Sequence, residues 1–164
     1  MNPTCYACFD GDNDIRYYRL MTAWHENDNF DFTFVNAHDL TQARDSSTEE
    51  SIKNSLRKRL NSSDILVVLI GEKTKNLYKF VRWEIQVAIE KGIPIIAVNL
   101  NQRRDIDNNL CPPILREALA IHVPFSPKIL YYAIKTWPSL HASFKRDGTT
   151  GSRYYRDSIY SGLV

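Results

Sequence analysis

The chain has 164 residues, 43% of them hydrophobic, which is enough for one domain with a full core and too few for two ordinary ones. Its 21 basic and 19 acidic residues give a formal charge of +2 and form no dense Lys/Arg stripe, so charge indicates no nucleic-acid partner. No apolar run approaches membrane-spanning length, residues 1–5 lack the features of a secretory signal, and three cysteines do not suggest a disulfide framework. We therefore expect a soluble, cytoplasmic protein with free thiols and no membrane partner.

The first half of the chain alternates short apolar runs with amphipathic patterns, which is typical of βαβ units and a parallel sheet. Residues 4–9 and 31–35 are predicted strands, and the helix between them has one apolar face formed by Tyr17, Leu20, Met21 and Trp24. After a polar loop at 36–45, two overlapping capping boxes (Ser46 with Glu49, Ser47 with Glu50) predict a helix with a narrow buried stripe of Ile52, Leu56 and Leu60.

The second half continues the same alternation. Six consecutive apolar residues at 65–70 predict a strand covered on both faces in the middle of the sheet. A helix at 77–91 follows, stops at Gly92, and buries Val81, Ile85, Ala88 and Ile89. Strands are then predicted at 95–100 and 121–125, with a short helix at 114–118 between them and a final helix that contains Leu130, Ala133, Ile134 and Trp137.

The predicted organisation is one α/β domain over residues 1–145 and a polar extension over 146–164. The count in the domain is five strands and about five helices. The extension contains Tyr154, Tyr155 and Tyr160, which could dock on the body of the domain or on a partner.

Several chemistries of open α/β sheets are excluded by missing motifs. The dinucleotide fingerprint and the P-loop are both absent, and the central strand ends without the acceptor Asp of a phosphoreceiver. The run from Asp10 to Asp14 resembles the start of a calcium loop, but Ile15 and Met21 occupy its required Gly and Glu positions, and a solvated loop with a helix N-cap is the simpler interpretation.

Cysteine and histidine spacing gives no redox or metal motif. Cys5 and Cys8 are three residues apart within a strand, so their side chains point to opposite faces. The four histidines do not pair with one another or with cysteines at metal-ligand spacing. We predict no metal site.

Glu84 is the residue that ordinary packing explains least. It lies in the second turn of the helix after the central strand, among Phe80, Val81, Trp83 and Ile85, at the border of the predicted buried face. Two interpretations are open: a flanking charge paired with Arg82 or Lys91, and a carboxylate that reaches into a cleft at the active edge of the sheet.

A resemblance favours the second interpretation. The stretch Val68-Leu69-Ile70-Gly71, Thr74, Val81-Arg82-Trp83-Glu84-Ile85 and Ile89-Glu90-Lys91-Gly92 resembles the Toll/interleukin-receptor-like (TIR-like) branch found in bacterial Thoeris anti-phage systems. The match is specific over some thirty residues, and the βα layout extends it to about residue 140. It implies a flavodoxin-like, TIR-like three-layer sandwich with a five-stranded parallel sheet in the order 2-1-3-4-5.

Members of that family cleave the nicotinamide-ribose bond of NAD, so the resemblance implies NAD as the substrate, no further cofactor, and Glu84 as the catalytic residue. Candidate substrate-binding residues are Phe9, Asp10, Asp12, Arg44, Asp45 and Trp83. For Trp83, packing of the helix on the core is at least as good an interpretation, and charged residues such as the other candidates are more often surface charges than ligands. Family members commonly have Ser where Cys8 precedes Phe9, which leaves one ribose or phosphate contact open.

The resemblance also implies partners. TIR enzymes often complete their site with the loop after the second strand of a neighbouring protomer, here residues 36–45, so a homo-oligomer is expected on activation. The leading hypothesis is a defence enzyme that breaks NAD and forms a cyclic or conjugated ADP-ribose messenger for a separate effector protein. The alternative is a non-catalytic TIR-like interaction module, because one fold hosts both roles.

Overall fold

A computed structural model describes residues 3–27, 33–36, 48–77 and 79–163. Its centre is a six-stranded, fully parallel sheet in the order β2-β1-β3-β4-β5-β6. The strands are β1 (Thr4–Cys8), β2 (Thr33–Asn36), β3 (Ile65–Ile70), β4 (Ile95–Asn99), β5 (Ala120–Pro124) and β6 (Ser152–Tyr154). The helices are α1 (Ile15–Asn27), α2 (Glu49–Asn61), α3 (Phe80–Lys91), α4 (Pro113–Arg116), α5 (Pro127–Arg146) and α6 (Asp157–Gly162).

Helices cover both faces of the sheet, which confirms the predicted three-layer α/β class. On one face, the α1/α5 layer contains Met21 of α1 and Leu130, Ala133 and Trp137 of α5. On the other face, the α2/α3 layer contains residues of α2 and α3 together with Leu115 of α4. All six residues of β3 are buried, as a central strand covered on both faces requires.

Strand alternation assigns each residue of β1 to one of these layers. Cys5 and Ala7 belong to the α1/α5 layer, whereas Tyr6 and Cys8 belong to the α2/α3 layer. The chain leaves β1 toward β2 on one side and returns to β3 on the other. The carboxyl ends of β1 and β3 therefore form the switch point where ligands bind in sheets of this kind.

The predicted count of five strands is wrong by one, because the C-terminal extension supplies a sixth. Ser152, Arg153 and Tyr154 pair in parallel with β5, and α6 follows directly. The strand is three residues long and none of its residues is fully buried, so it lacks the apolar run that would have revealed it. Tyr155 and Tyr160 pack on the α1/α5 layer.

The helix ends follow the predicted local signals with small shifts. Thr48 is the N-cap of α2 and accepts a hydrogen bond from the Ser51 amide at 3.1 Å, whereas Ser46 and Ser47 lie outside the described residues. Gly92 ends α3 in the left-handed conformation at φ 70°, as predicted. The start of α3 is Phe80 and not residue 77, because Thr74–Asn76 form a separate 3-10 turn.

Two predicted core residues are exposed. Leu20 on α1 is 50% exposed and Ile89 on α3 is 41% exposed, so each lies just outside the buried stripe of its helix. The predicted stripe of α2, formed by Ile52, Leu56 and Leu60, is confirmed. No helix in the described ranges is long and apolar enough to cross a membrane.

Candidate active site

The start of α3 is positioned by the turn that connects it to β3. The Thr74 hydroxyl accepts a hydrogen bond from the Gly71 amide at 2.9 Å and donates one to the Leu69 carbonyl at 3.4 Å, although Thr74 is fully buried. These bonds satisfy the backbone where the central strand ends, and buried polar groups require such partners.

The sequence placed Glu84 at the border of the buried face of its helix, but the structure places it inside the α2/α3 layer. It is 2% exposed, and its Oε2 atom has no hydrogen-bond partner within the described part of the chain. Desolvation by burial raises the pKa of Glu84 to about 8, against the opposing effects of a hydrogen bond from Cys8 and the positive charge of Arg59. At neutral pH the resting carboxyl is therefore mainly protonated.

The polar neighbours of Glu84 come from β1. The Cys8 thiol is within reach of two acceptors, the Val81 carbonyl oxygen at 3.9 Å and the Glu84 carboxyl. Burial, and then the charge of Glu84, hold the pKa of Cys8 well above its ordinary value, so Cys8 is a neutral hydrogen-bond donor here. The Tyr6 hydroxyl is also buried without a hydrogen-bond partner among the described residues, and burial, followed by the charge of Glu84, raises its pKa.

Arg59 and Trp83 lie around this cluster. The guanidinium of Arg59 on α2 is close enough to lower the pKa values of both Glu84 and Tyr6. Trp83 is half-buried, packs on the α2/α3 layer, and has the Lys53 ammonium 5.7 Å from its ring centroid. Trp83 thus bridges α3 to α2, which is the packing role that the sequence left open.

Phe9 lies on the opposite side of the sheet from Glu84. It is 8% exposed, belongs to the α1/α5 layer, and stacks on Tyr18 with ring centroids 4.8 Å apart. The structure therefore does not bring Phe9 and Glu84 together, and a contact of Phe9 with a substrate stays a prediction.

The loop after β1 is closed by Asp10. The Asp10 carboxylate is 2% exposed and accepts hydrogen bonds from the amides of Asp12 and Asn13 at 3.1 and 3.2 Å and from the Asn13 side chain at 2.7 Å. Asp10 thus shapes the loop, whereas Asp12 is exposed. Arg44 and Asp45, the other two charged candidates, lie outside the described residues. No three His, Cys, Asp or Glu side chains in the described ranges are grouped closely enough to hold a metal ion.

A cleft of about 370 Å³ lies at the carboxyl ends of β3 and β4, beside the start of α1. Its lining includes Asp14, Gly71 and Asn101. A Cβ at position 71 would come within 2.9 Å of the Asp14 carboxyl carbon, so a larger residue here would require the Asp14 side chain to shift. Asp14 is 7% exposed, and burial, followed by the charge of Asp10, raises its pKa. Glu84 is not among the residues that line this cleft.

Comparison with known protein families identifies the family of this chain. Residues 6–105, more than half of the chain, match the family of the Thoeris protein ThsB, TIR-like domain. The chain belongs to the ThsB TIR-like family. This match confirms the resemblance inferred from residues 68–92, and it makes the chain a TIR-like protein of the Thoeris defence system.

Within this TIR-like domain, sequence reasoning identified Glu84 but missed its hydrogen-bonding environment. The predicted strand at 4–9 contains Tyr6 and Cys8, and the sequence indicated no hydrogen bond from either to Glu84, although their even spacing places both on the face that α3 covers. The same parity places Phe9 on the other face. The available signal was therefore the two-residue alternation of β1, counted from Cys8.

Proposed function

We propose that this TIR-like protein cleaves the nicotinamide-ribose bond of NAD and that Glu84 is its catalytic residue. The observation that carries the proposal is the burial of one carboxyl, 2% exposed and with its pKa raised to about 8, in the helix that follows the central strand. Strongly shifted acids in an otherwise apolar layer are typical of functional sites. The family match supplies the chemical context in which such an acid acts.

The raised pKa suggests how substrate and acid act together. Nicotinamide in NAD carries a positive charge, and a cation within a few ångströms favours the ionised form of a carboxyl. Substrate binding would therefore release the proton of Glu84 and place a carboxylate next to the ribose. The glycosidic bond then breaks, its electron pair neutralises the nicotinamide nitrogen, and the carboxylate stabilises the oxocarbenium-like ribose until a nucleophile attacks.

Cys8 and Arg59 would assist the ionised form. Both already act to lower the pKa of Glu84, through a hydrogen bond and through charge. Because Glu84 is 2% exposed, a neighbouring segment must move before a substrate can reach it. This requirement fits an enzyme that is silent until it is activated, with the loop at 36–45 of a second protomer completing the site.

The product would be a cyclic or conjugated ADP-ribose messenger that activates a separate effector protein. NAD is then a substrate and not a resident cofactor. The second candidate, a non-catalytic interaction module, is favoured by one observation: the structure places Phe9 and Glu84 on opposite faces of the sheet. The two candidates differ in whether nicotinamide is released.

Nicotinamide release by the full chain from NAD tests the proposal, with Glu84→Gln as the variant and Glu90→Gln as the matched control on the same helix. Glu90 has a side chain that is 49% exposed, so its loss removes an acid without touching the buried cluster. We expect Glu84→Gln to lower the rate by at least about 100-fold and Glu90→Gln to leave it unchanged. Equal rates in a folded Glu84→Gln protein and the wild type would contradict the proposal.

A further inference from the structure

The Tyr6 hydroxyl and the Glu84 carboxyl are buried in the same layer, and neither has a full set of hydrogen bonds. Tyr6 is completely buried, and its hydroxyl oxygen has no partner in the described ranges. The same holds for Oε2 of Glu84, which is 2% exposed. A buried polar atom without a hydrogen bond is costly, so each one calls for an explanation. Two such atoms on packed elements point to one cause.

The packing of α3 on β1 places Glu84 between the levels of Cys8 and Tyr6. Because α3 connects two parallel strands, it runs in the opposite direction to β1. The Val81 carbonyl oxygen is 3.9 Å from the Cys8 sulfur, which sets these two residues at one level. Three helical residues advance about 4.5 Å from there to Glu84, whereas two strand residues cover about 6.6 Å from Cys8 to Tyr6. Glu84 is therefore within reach of both side chains of β1.

The two neighbours from β1 differ in how they meet the resting acid. The Cys8 thiol is hydrogen-bonded to the Glu84 carboxyl. The Tyr6 hydroxyl makes no such bond, but burial and then the charge of Glu84 raise the pKa of Tyr6, so the hydroxyl keeps its proton and is available as a donor. A carboxylate accepts several hydrogen bonds and binds donors more strongly than a neutral carboxyl does. Ionisation of Glu84 would therefore recruit the Tyr6 hydroxyl.

The titratable groups on the other elements around α3 act differently from Tyr6. Arg59 of α2 lowers the pKa of the acid through its positive charge. Arg116 of α4 donates a hydrogen bond to the Cys111 carbonyl oxygen at 3.3 Å. The strands β3 and β4 contain no titratable residue, and His122 of β5 lies three strands away from β1 in the sheet. The hydroxyl from β1 is thus the donor that geometry offers to the ionised acid.

We propose that Tyr6 is a positioning residue of the NAD-cleaving site, whose hydroxyl donates a hydrogen bond to the ionised Glu84 carboxylate and fixes its orientation toward the ribose. This inference rests on the proposed catalytic role of Glu84. When substrate binding releases the Glu84 proton to solvent, rotation of the side chain brings Oε2 to the Tyr6 hydroxyl. Tyr6 keeps its own proton throughout. The bond therefore forms in the active state and is absent from the resting state.

Nicotinamide release by the full chain from NAD, measured from pH 6 to pH 9, tests the positioning role. Tyr6→Phe should lower kcat at pH 7 at least about tenfold, and the difference from the wild type should narrow toward pH 9, because a carboxyl without this donor ionises at higher pH. The matched control is Tyr155→Phe, which removes a buried hydroxyl from the other layer and should change neither the rate nor its pH profile. Equal kcat and pH profiles for Tyr6→Phe and the wild type would overturn the role of Tyr6.

Chemical denaturation tests the hydrogen bond without NAD. The pKa of Glu84 is raised from 4.5 to about 8 in the folded chain, so the folded protein carries the carboxylate mainly above pH 8. Between pH 7 and pH 9.5, Tyr6→Phe should lose at least about fivefold in the ratio of folded to unfolded protein relative to the wild type. The loss should be absent when Tyr6→Phe is combined with Glu84→Gln and compared with Glu84→Gln alone. A loss that is independent of pH, or equal in both backgrounds, would overturn the hydrogen bond.

The two measurements separate this inference from the proposal on NAD. Nicotinamide release by the wild type, matched by Tyr6→Phe at every pH, would overturn the positioning role and leave the proposed function standing. A wild type that releases no nicotinamide, with the loss of stability of Tyr6→Phe above pH 8 intact, would overturn the proposed function and leave the hydrogen bond to Glu84 standing.

Discussion

The two helical layers of this protein differ in the polar groups they bury. In the α1/α5 layer the Tyr155 hydroxyl is hydrogen-bonded to Thr136 at 3.0 Å, whereas Trp137 Nε1 and the Tyr160 hydroxyl have no described partner. In the α2/α3 layer the Tyr6 hydroxyl and the Glu84 carboxyl both lack a full set of partners among the described residues. A fully buried acid is costly to retain for packing alone, so we infer that the α1/α5 layer mainly stabilises the fold and the α2/α3 layer serves chemistry.

His122 strengthens this contrast. It lies on β5 in register with Ala97 and, by strand alternation, faces the α2/α3 layer with Ala120. It is completely buried, neither ring nitrogen has a described partner, and burial lowers its pKa to about 4. The α2/α3 layer thus holds both an acid and a base in their neutral forms.

The largest expected loss of stability comes from the α1/α5 layer. Trp137 is 1% exposed and contacts the rings of His141 and Phe144. Trp137→Ala should lower the free energy of unfolding by about 3–5 kcal/mol. The matched control on the same helix is Leu140→Ala, where the side chain is 43% exposed and the change should stay below about 0.5 kcal/mol. Chemical denaturation measures both changes in stability. A small loss of stability for Trp137→Ala would contradict the structural role assigned to this layer.

A gain in stability that depends on pH is expected in the α2/α3 layer. The pKa of Glu84 is about 8 in the folded chain against 4.5 for the free side chain, so between these pH values the unfolded chain binds fewer protons and stability falls as pH rises. Glu84→Gln removes the titrating group, so the stability of the variant does not fall with pH for this reason. The variant should match the wild type near pH 4 and exceed it by on the order of 2–4 kcal/mol near pH 9.

Denaturation of the Glu84→Gln, Glu90→Gln and wild-type proteins across this pH range measures the effect. A constant difference between Glu84→Gln and the wild type from pH 4 to pH 9 would show that Glu84 is not buried in its neutral form. Glu90→Gln should show no such rise with pH, because the Glu90 side chain is half-exposed.

The smallest expected changes in stability come from removing one tyrosine hydroxyl from each layer. Tyr6→Phe removes a hydroxyl that has no described partner, so stability should be unchanged or rise by up to about 1 kcal/mol. Tyr155→Phe removes a hydroxyl bonded to Thr136 and should lower stability by about 1 kcal/mol. Equilibrium unfolding of the two variants decides the comparison, and a greater loss for Tyr6→Phe would reverse the assigned roles of the layers.

Sequence patterns predicted the elements whose signals are local. The continuous apolar run of β3, the stripe of α2 and the glycine that ends α3 are all determined by neighbours within a few residues. β6 escaped prediction because its three residues are held by pairing with β5, a contact distant along the chain. Leu20 and Ile89 were misplaced because the apolar pattern does not fix the width of the buried face.

The candidate site was predictable only in part. The motif around Val81-Arg82-Trp83-Glu84 identified the acid, but its depth depends on how closely α3 packs on β1, and no pattern within one helix contains that distance. The approach of Tyr6 and Cys8 to this acid depends on the same packing. These residues are more than seventy positions from Glu84, and only the fold brings them together.

The most direct test of the central proposal is the nucleotide profile of phage-infected cells that express the wild type or Glu84→Gln, resolved by chromatography and mass spectrometry. The account predicts consumption of NAD and an ADP-ribose-derived product in the wild type alone, with the variant folded and present at the same level. Identical profiles under infection, with the wild type protective against the phage, would contradict Glu84-dependent cleavage of NAD and favour an interaction module.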